Sequence, residues 1–319
     1  MLSYTDFQDY VKQSLSAAMP DADISIKEKL CNNGTKESGI CISLPDSNIS
    51  PYIHLDESYS KYTQGTDLNS VTEELVQLAQ QNINPPDAVY NIKNDFFNFE
   101  KIADKIVMQA INYDKNPELL SQIPFTPKED LALIYKVVIT DFPDTKPATI
   151  TIKNEYLEAW GKTTNEIHDL AEKNTPKIFP ATINSMSEIM KQLYEYDGLP
   201  KEVADLMLEG LSVEPQMYII SNDLKTNGAA TMFYDNVLSS LSEKVGTDLY
   251  VFPSSIHEVI AISTDSGVPE EFADMVKEIN NDAVAPKEQL SDNVYKFDAK
   301  TKELSIAAEP QQRIYRKCR

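Results

Sequence analysis

Arginine is almost absent from this 319-residue sequence, and its three copies, Arg313, Arg316 and Arg319, all lie in the last seven residues. Residues 1–312 therefore contain no guanidinium group, the side chain best suited to hold phosphate or carboxylate with two parallel hydrogen bonds. The formal net charge of the sequence is -21. Because phosphate backbones are neutralised by clustered lysine and arginine, this sequence argues against a nucleic acid or an anionic membrane surface as partner.

Glycine is also scarce: the nine glycines form no G-x-G pattern. This argues against the glycine-rich loops that hold nucleotide phosphates. The sequence GKTT at 161–164 resembles the end of a phosphate-binding loop, but Tyr156 occupies the position of the first glycine that such a loop requires. We expect Thr163 or Thr164 to cap a helix instead, with Glu166 in its first turn. No cofactor is predicted.

Cysteine and histidine occur three times each. Cys31, Cys41 and Cys318 lack metal-ligand spacing, so we expect thiols in a reducing compartment and no metal site. The first residues lack the basic and apolar regions of a secretory signal, and no apolar run approaches the roughly 18 residues of a membrane span. The sequence therefore predicts a cytoplasmic protein without a membrane partner.

The remaining composition, 41% apolar and 25% charged, is typical of a folded chain. Short alternating strands joined by hairpins, with helices between them, predict an α+β fold with antiparallel or mixed sheets and packed helices. A hairpin is predicted at 24–44 around the sequence NNG. Apolar spacing predicts helices at 71–82 and 99–111 and a strand at 229–233.

Two parts of the sequence resemble each other. YIHLDESY at 52–59 is similar to TITIKNEY at 149–156, and a helix with the pattern L-A-x-x-N follows in both places. A duplicated αββ(β)α module is one hypothesis, and chance similarity between two amphipathic units is the other. We predict an N-terminal α+β module at 1–84, a larger α+β domain at 85–310 with a helical insertion at 185–213, and a basic tail at 311–319.

The segment PSSIHEVI at 253–260 concentrates hydroxyl, imidazole and carboxylate groups where one strand ends and the next begins. A zinc-protease H-E-x-x-H motif fails because the fifth residue is Ala261, and no G-x-S-x-G nucleophile elbow is present. The favoured interpretation is that these polar groups cap the corner. The alternative is a ligand-facing or catalytic site, because sites accumulate at strand ends. Its weak catalytic candidates are Ser254, Ser255, His257 and Glu258.

Five further observations are the segments NNG at 32–34, NISPYIHLD at 48–56, LAEKNTP at 170–176, PSSIHEVI at 253–260 and LSDNVY at 290–295. Together they resemble an uncharacterised family of anaerobic gut bacteria, a domain of unknown function that often occurs in mobile-element gene neighbourhoods. The resemblance spans nearly the whole chain except 185–213 and the residues after Ala308. It implies a bacterial cytoplasmic protein and supplies no mechanism.

Two classes of function follow. The charge excess and the missing catalytic signatures favour a non-enzymatic protein-interaction module, associated with mobile elements, whose acidic surface engages a basic or polar protein partner. The alternative is a hydrolase-like enzyme with its site around the corner at 253–260. The sequence leaves the oligomeric state open.

Overall fold

The structure is a computed structural model that describes residues 1–45, 50–82, 95–139, 147–196, 198–201, 203 and 215–311. The chain divides into two compact units, Met1–Phe96 and Phe97–Arg319. The predicted domain boundary between residues 84 and 85 and the basic tail from residue 312 lie outside the described residues. Within the described ranges, no helix combines the length and the hydropathy that crossing a membrane would require.

The N-terminal unit packs helices against a three-stranded antiparallel sheet of order β1-β2-β3. Its elements are α1 (Tyr4–Ala18), β1 (Asp23–Leu30), β2 (Lys36–Ser43), β3 (Tyr52–His54), α2 (Asp56–Thr63) and α3 (Leu68–Asn82). The predicted hairpin is confirmed, because β1 and β2 pair along their whole length. Asn33 and Gly34 at its turn both have positive φ, a conformation that these two residue types tolerate best.

Helix α1 begins where Ser3 Oγ accepts a hydrogen bond from the Asp6 backbone N–H at 3.2 Å, which satisfies one of the unpaired donors of the first turn. Phe7, Val11 and Leu15 follow at helical spacing and are fully buried. They form one side of the core of this unit, together with apolar residues of β2 and α3.

The C-terminal unit contains two antiparallel sheets. One has the order β4-β6-β5, with β7 also paired to β6; the other has the order β13-β12-β10-β11-β9-β8. The described elements are α4 (Phe99–Ile102), β4 (Ile106–Asn112), α5 (Pro117–Leu120), β5 (Phe125–Lys128), β6 (Leu131–Ile139), β7 (Ala148–Thr151), α6 (Asn154–Trp160), α7 (Thr164–Ile178), β8 (Ala181–Ser185), α8 (Met186–Tyr196), β9 (Tyr218–Asn222), α9 (Val237–Val245), β10 (Leu249–Phe252), β11 (Val259–Ser263), α10 (Pro269–Ala283), β12 (Val294–Phe297) and β13 (Leu304–Ala308). The predicted α+β class with antiparallel sheets is confirmed.

Helix α8 lies in the predicted helical insertion at 185–213, and residues 197, 202 and 204–213 of that range are outside the described residues. Helix α7 begins with the predicted cap. Thr163 Oγ1 accepts the Glu166 N–H, and Glu166 Oε2 accepts the Thr163 N–H at 2.8 Å. This reciprocal pair is a capping box.

Asp130, in the turn between β5 and β6, connects the two sheets of this unit. Its Oδ2 accepts hydrogen bonds from the Ser291 hydroxyl at 2.6 Å and from Asn293 Nδ2 at 3.0 Å, and its Oδ1 accepts a short hydrogen bond from the Tyr295 hydroxyl. From the neighbouring strand β4, Asn112 Nδ2 donates to the Leu290 carbonyl at 2.8 Å. The LSDNVY segment is therefore one attachment point between the sheets.

Two predicted elements are wrong. Residues 106–112 form strand β4 instead of the end of a helix, and residues Gly228–Phe233 form a 3-10 helix instead of a strand. All seven residues of β4 are buried, so both of its faces are mainly apolar. An apolar run of this kind does not reveal its period.

The order of elements partly recurs between the units. Three strands followed by two helices occur as β1, β2, β3, α2, α3 and again as β4, β6, β7, α6, α7, with β5 added in the second set. In the first set β2 is central and pairs with β1 and β3, and in the second set β6 is central and pairs with β4 and β7. The leading helices differ, because α1 has 15 residues and α4 has four. The duplicated module and chance similarity between the two units both stay hypotheses.

Candidate functional site

The corner at 253–258 connects β10 to β11 and is held by backbone hydrogen bonds to the segment at 288–291. The Ile256 N–H donates to the Glu288 carbonyl at 2.8 Å, and the Leu290 N–H donates to the Ser254 carbonyl at 2.9 Å. The Ser291 N–H donates to the Pro253 carbonyl at 2.8 Å. The backbone of the corner is therefore satisfied by the stretch that leads into the LSDNVY segment.

His257 is the best-connected side chain of the corner. Its Nδ1 accepts a hydrogen bond from the Asn227 backbone N–H at 3.2 Å, which places the ring proton on Nε2 in the neutral imidazole. Nε2 lies 3.7 Å from Glu288 Oε1, and the side chain is 29% exposed. That distance exceeds a hydrogen bond, so Glu288 faces the ring without fixing it.

Among the described residues, the side chains of the other three candidates form no hydrogen bond with the imidazole ring of His257. Ser255 Oγ accepts the His257 backbone N–H at 3.0 Å and closes the turn locally. Within the described part of the chain, the side chains of Ser254 and Glu258 make no hydrogen bond, and neither ring nitrogen contacts a serine hydroxyl. The four candidates are neighbours in the sequence, but among the described residues their side chains do not form one hydrogen-bonded group. The carboxylate that faces the ring is that of Glu288, which no motif in the sequence indicates.

The backbone at His257 also holds the loop that follows β9. The His257 carbonyl accepts the Gly228 N–H at 3.0 Å and the Ser221 hydroxyl at 2.7 Å. A Cβ atom on Gly228 would lie 2.3 Å from Ser221 Oγ and 2.6 Å from the Asn222 nitrogen. Only glycine allows this approach of the two backbones. Inside the loop, Asn222 Nδ2 donates to the Thr226 carbonyl at 2.8 Å.

The 222–227 loop forms one wall of a cavity whose other walls are β4, β6, the start of β7 and the end of α7. The cavity has about 70 Å³ of water-accessible volume. Apolar atoms of Val107, Met108 and Phe179 line it, together with these polar residues: Gln109, Lys136, Thr149, Thr175, Asn222, Thr226, Asn227 and Tyr234. The corner therefore contacts the loop that forms one wall of this cavity.

The buried polar groups of the cavity are mostly paired. Thr175 Oγ1 accepts the Met108 N–H at 3.0 Å. The Tyr234 hydroxyl donates to the Phe179 carbonyl at 3.3 Å, and burial raises the pKa of Tyr234. Gln109 differs: it is 7% exposed, and its Oε1 has no hydrogen-bond partner among the described residues. Sequence reasoning missed the cavity, and its one signal was a polar residue within the apolar run of β4.

A second feature of this unit is the outer surface of α10. Ala273, Val276 and Asn280 form its buried face. The apolar residues Val268, Met275 and Ile279 lie on a different side and are 50%, 44% and 47% exposed. We call these three residues the α10 stripe.

No metal centre is evident in the described ranges, because no three His, Cys, Asp or Glu side chains converge there on a point that could hold a metal ion. What the geometry presents is an anchored corner, a small polar cavity and an exposed helix surface, all on an α+β scaffold with antiparallel sheets.

The chain belongs to a family of unknown function, DUF5688, whose pattern it matches over residues 4–299. This confirms the predicted membership in a family of unknown function. No curated protein and no solved structure shows a significant match to the chain.

Proposed function

We propose that this protein is a non-enzymatic interaction module that binds a basic amphipathic helix of a protein partner through the α10 stripe. The single observation that carries the proposal is the exposure of Val268, Met275 and Ile279 beside a row of carboxylates. The association with mobile elements is part of the proposal and rests on the resemblance of segments such as the one at 253–260.

The positions of the stripe residues support a helix-sized contact. An α-helix advances about 100° per residue, so Met275 and Ile279 lie on one side, in line with Val268 just before the first turn. The core face at Ala273 and Val276 is about a quarter-turn or more away. Isolated exposed apolar residues are ordinary on protein surfaces, whereas a contiguous row is typical of a contact surface.

The charges beside the stripe favour a basic partner. Glu271, Glu278 and Asp282 are exposed on the side of α10 next to the stripe, and Lys277 is the one basic residue of the helix. A partner helix with leucine-like residues on one face and lysine or arginine beside them would pair both surfaces. The same carboxylates would repel an acidic helix, which gives the contact its selectivity.

The last described residue of the chain contacts α10. The Gln311 N–H donates to Asp274 Oδ1 of α10 at 2.9 Å, and all three arginines of the sequence follow at 313–319. We assign the stripe to a separate partner and treat the tail as a competitor that the experiment must remove.

The test measures the affinity of a synthetic amphipathic helical peptide of leucine and lysine by fluorescence anisotropy. The chain truncated after Gln311 is compared with the same chain carrying Met275→Lys and Ile279→Lys. A fully buried side chain of this size contributes about 1.5–3 kcal/mol. Met275 and Ile279 are about half exposed in the free chain, so each can bury about half of its side chain against the peptide. Losing both contributions should weaken binding about tenfold or more.

Leu193 on α8 provides the matched control, because it is 57% exposed on another helix. Leu193→Lys should leave the affinity unchanged, and a peptide with glutamate in place of lysine should not bind. Equal affinity of the double variant and the unaltered chain would refute the assignment to the stripe. Loss of peptide binding only when the tail is present would show that the tail occupies the stripe.

The alternative function, a hydrolase-like enzyme at Ser254, Ser255, His257 and Glu258, is favoured by one observation, the partly buried imidazole of His257 beside the Glu288 carboxylate. A serine nucleophile would need a ring nitrogen to accept its proton, and the Asn227 N–H occupies Nδ1. Turnover of ester or amide substrates that disappears in His257→Ala and persists in His54→Ala would favour this alternative.

A further inference from the structure

We infer that the cavity beside the 222–227 loop is a binding site for a small zwitterionic amino acid. The cavity is separate from the α10 stripe in sequence and in elements, so this site goes beyond the proposed interaction function. It is defined by Gln109 at the buried end and Lys136 nearer to solvent, with Thr149 exposed beside it.

The side chain of Gln109 has unused hydrogen-bonding capacity. A carboxamide presents one acceptor and two donor hydrogens, and a buried polar group without a partner costs about 1–3 kcal/mol. Gln109 is 7% exposed, and its Oε1 has no hydrogen bond to any described residue. Rotation about the terminal bond of the side chain turns either the oxygen or the amino group into the cavity. The carboxamide can therefore meet an ammonium group, which donates, or a carboxylate, which accepts.

Lys136 supplies the positive charge of the lining. Among the described residues that line the cavity, it is the one basic side chain. An ammonium group carries three donor hydrogens, so it can donate to a ligand carboxylate in addition to making contacts within the chain. Because residues 1–312 contain no arginine, lysine is the basic side chain that this fold has for the task.

The charge of the whole chain limits the net charge of the ligand. A chain with a formal charge of -21 repels anions at long range. A zwitterion carries a carboxylate for Lys136 without a net negative charge and therefore avoids this repulsion. Its ammonium group supplies a donor for the Gln109 oxygen.

The size and the apolar part of the cavity limit the side chain of the ligand. A water-accessible volume of about 70 Å³ exceeds what one ordered water requires, which is roughly 10–15 Å³. Val107, Met108 and Phe179 add an apolar wall for a short side chain. These limits favour alanine, serine or valine over tryptophan.

The full chain is titrated separately with L-alanine, L-valine, L-tryptophan, propionate and propylamine. Binding is measured by two-dimensional NMR and by calorimetry. We expect saturable binding of alanine or valine, with propionate and propylamine at least about tenfold weaker because each lacks one of the two charged contacts. Gln109→Met and Lys136→Met keep side-chain length and should each weaken binding about tenfold or more. Lys136→Arg should retain most of the affinity.

Lys173→Met provides the control, because Lys173 is exposed on α7 and does not line the cavity. Circular dichroism and thermal unfolding of each variant show that it remains folded. The inference is overturned if no amino acid of the panel saturates, in which case the cavity holds water only. It is also overturned if Gln109→Met binds as well as the unaltered chain, or if propionate binds as tightly as alanine. Met275→Lys should leave amino acid binding intact, which separates this site from the α10 stripe.

Discussion

The imidazole Nδ1 of His257 accepts a hydrogen bond from the backbone N–H of Asn227, 30 positions earlier in the chain, at 3.2 Å. Asn227 has a φ of 54°, in the left-handed region that asparagine tolerates better than most residues. The histidine therefore acts as an anchor for the loop after β9. A structural role is also the favoured interpretation of the corner from sequence, but the motif does not indicate the loop that His257 contacts.

Replacing His257 by alanine should destabilise the protein, because it leaves the partly buried Asn227 N–H without its acceptor. The expected cost is about 1–2 kcal/mol, measured by urea unfolding. His54→Ala is the control: the ring of His54 is about half exposed, and its Nδ1 lies 3.0 Å from the Glu37 carboxylate, so its removal takes away a side-chain contact instead of the acceptor of a backbone N–H. Equal stability of the two variants would contradict the anchoring role.

Gly228→Ala should be more destabilising than a glycine substitution in open space. The new methyl group would meet Ser221 Oγ at 2.3 Å and the backbone at 2.6 Å, and overpacking of this kind costs about 1–3 kcal/mol. Gly161 is the comparison, with a φ of 62° and no atom within 4 Å of the position that a methyl group would take. Gly161→Ala should cost about 1 kcal/mol from backbone strain alone. A Gly228→Ala protein as stable as wild type would disprove the close approach.

Tyr295→Phe should weaken the attachment between the two sheets of the C-terminal unit. The Tyr295 hydroxyl donates to the Asp130 carboxylate, and a hydrogen bond to a charged group contributes about 1.5–3 kcal/mol. Tyr113→Phe is the control on an exposed tyrosine. Unfolding by urea should show a clearly lower midpoint for Tyr295→Phe only.

The same tyrosine predicts a dependence on alkaline pH. Burial, and then the neighbouring Asp130 carboxylate, raise the pKa of Tyr295 above its ordinary value of 10.0. The unfolded chain therefore loses this proton first, so the contribution of Tyr295 is complete below pH 10 and declines as the pH rises above it. The free energy of unfolding should fall less steeply above pH 10 in Tyr295→Phe than in wild type. Parallel curves would contradict this prediction.

Glu166 predicts a dependence on acidic pH. The Thr163 backbone N–H, followed by Lys162 and the Thr163 hydroxyl, lowers the pKa of Glu166 to about 2 from 4.5. Its contribution is therefore complete above pH 4.5 and is lost as the pH falls towards 2. Between pH 5 and pH 3, wild type should lose more stability than Glu166→Gln. Glu155→Gln, at an exposed position without a capping partner, should follow wild type.

The features that sequence reasoning predicted are local ones. The hairpin around Asn33 and the capping box at Thr163 and Glu166 are formed by residues a few positions apart, so turn and cap preferences identify them. The α+β class followed from the alternation of short strands and amphipathic helices.

The features that it missed depend on distant contacts. Strand β4 looked helical because both of its faces are buried, and the segment at 229–233 looked extended because its apolar run has no clear period. Gln109 lines a cavity with the loop at 222–227, which is more than 110 residues away in the sequence. The role of His257 likewise depends on a backbone group that no spacing within PSSIHEVI could indicate.

The proposed interaction function requires the α10 stripe to be the surface through which the protein acts. Chemical-shift mapping by NMR tests this requirement, with the chain truncated after Gln311 titrated with the leucine–lysine peptide. We predict that the largest shifts occur at Val268, Met275, Ile279 and their neighbours on α10. Shifts concentrated at residues 253–258, with α10 unaffected, would refute the proposal.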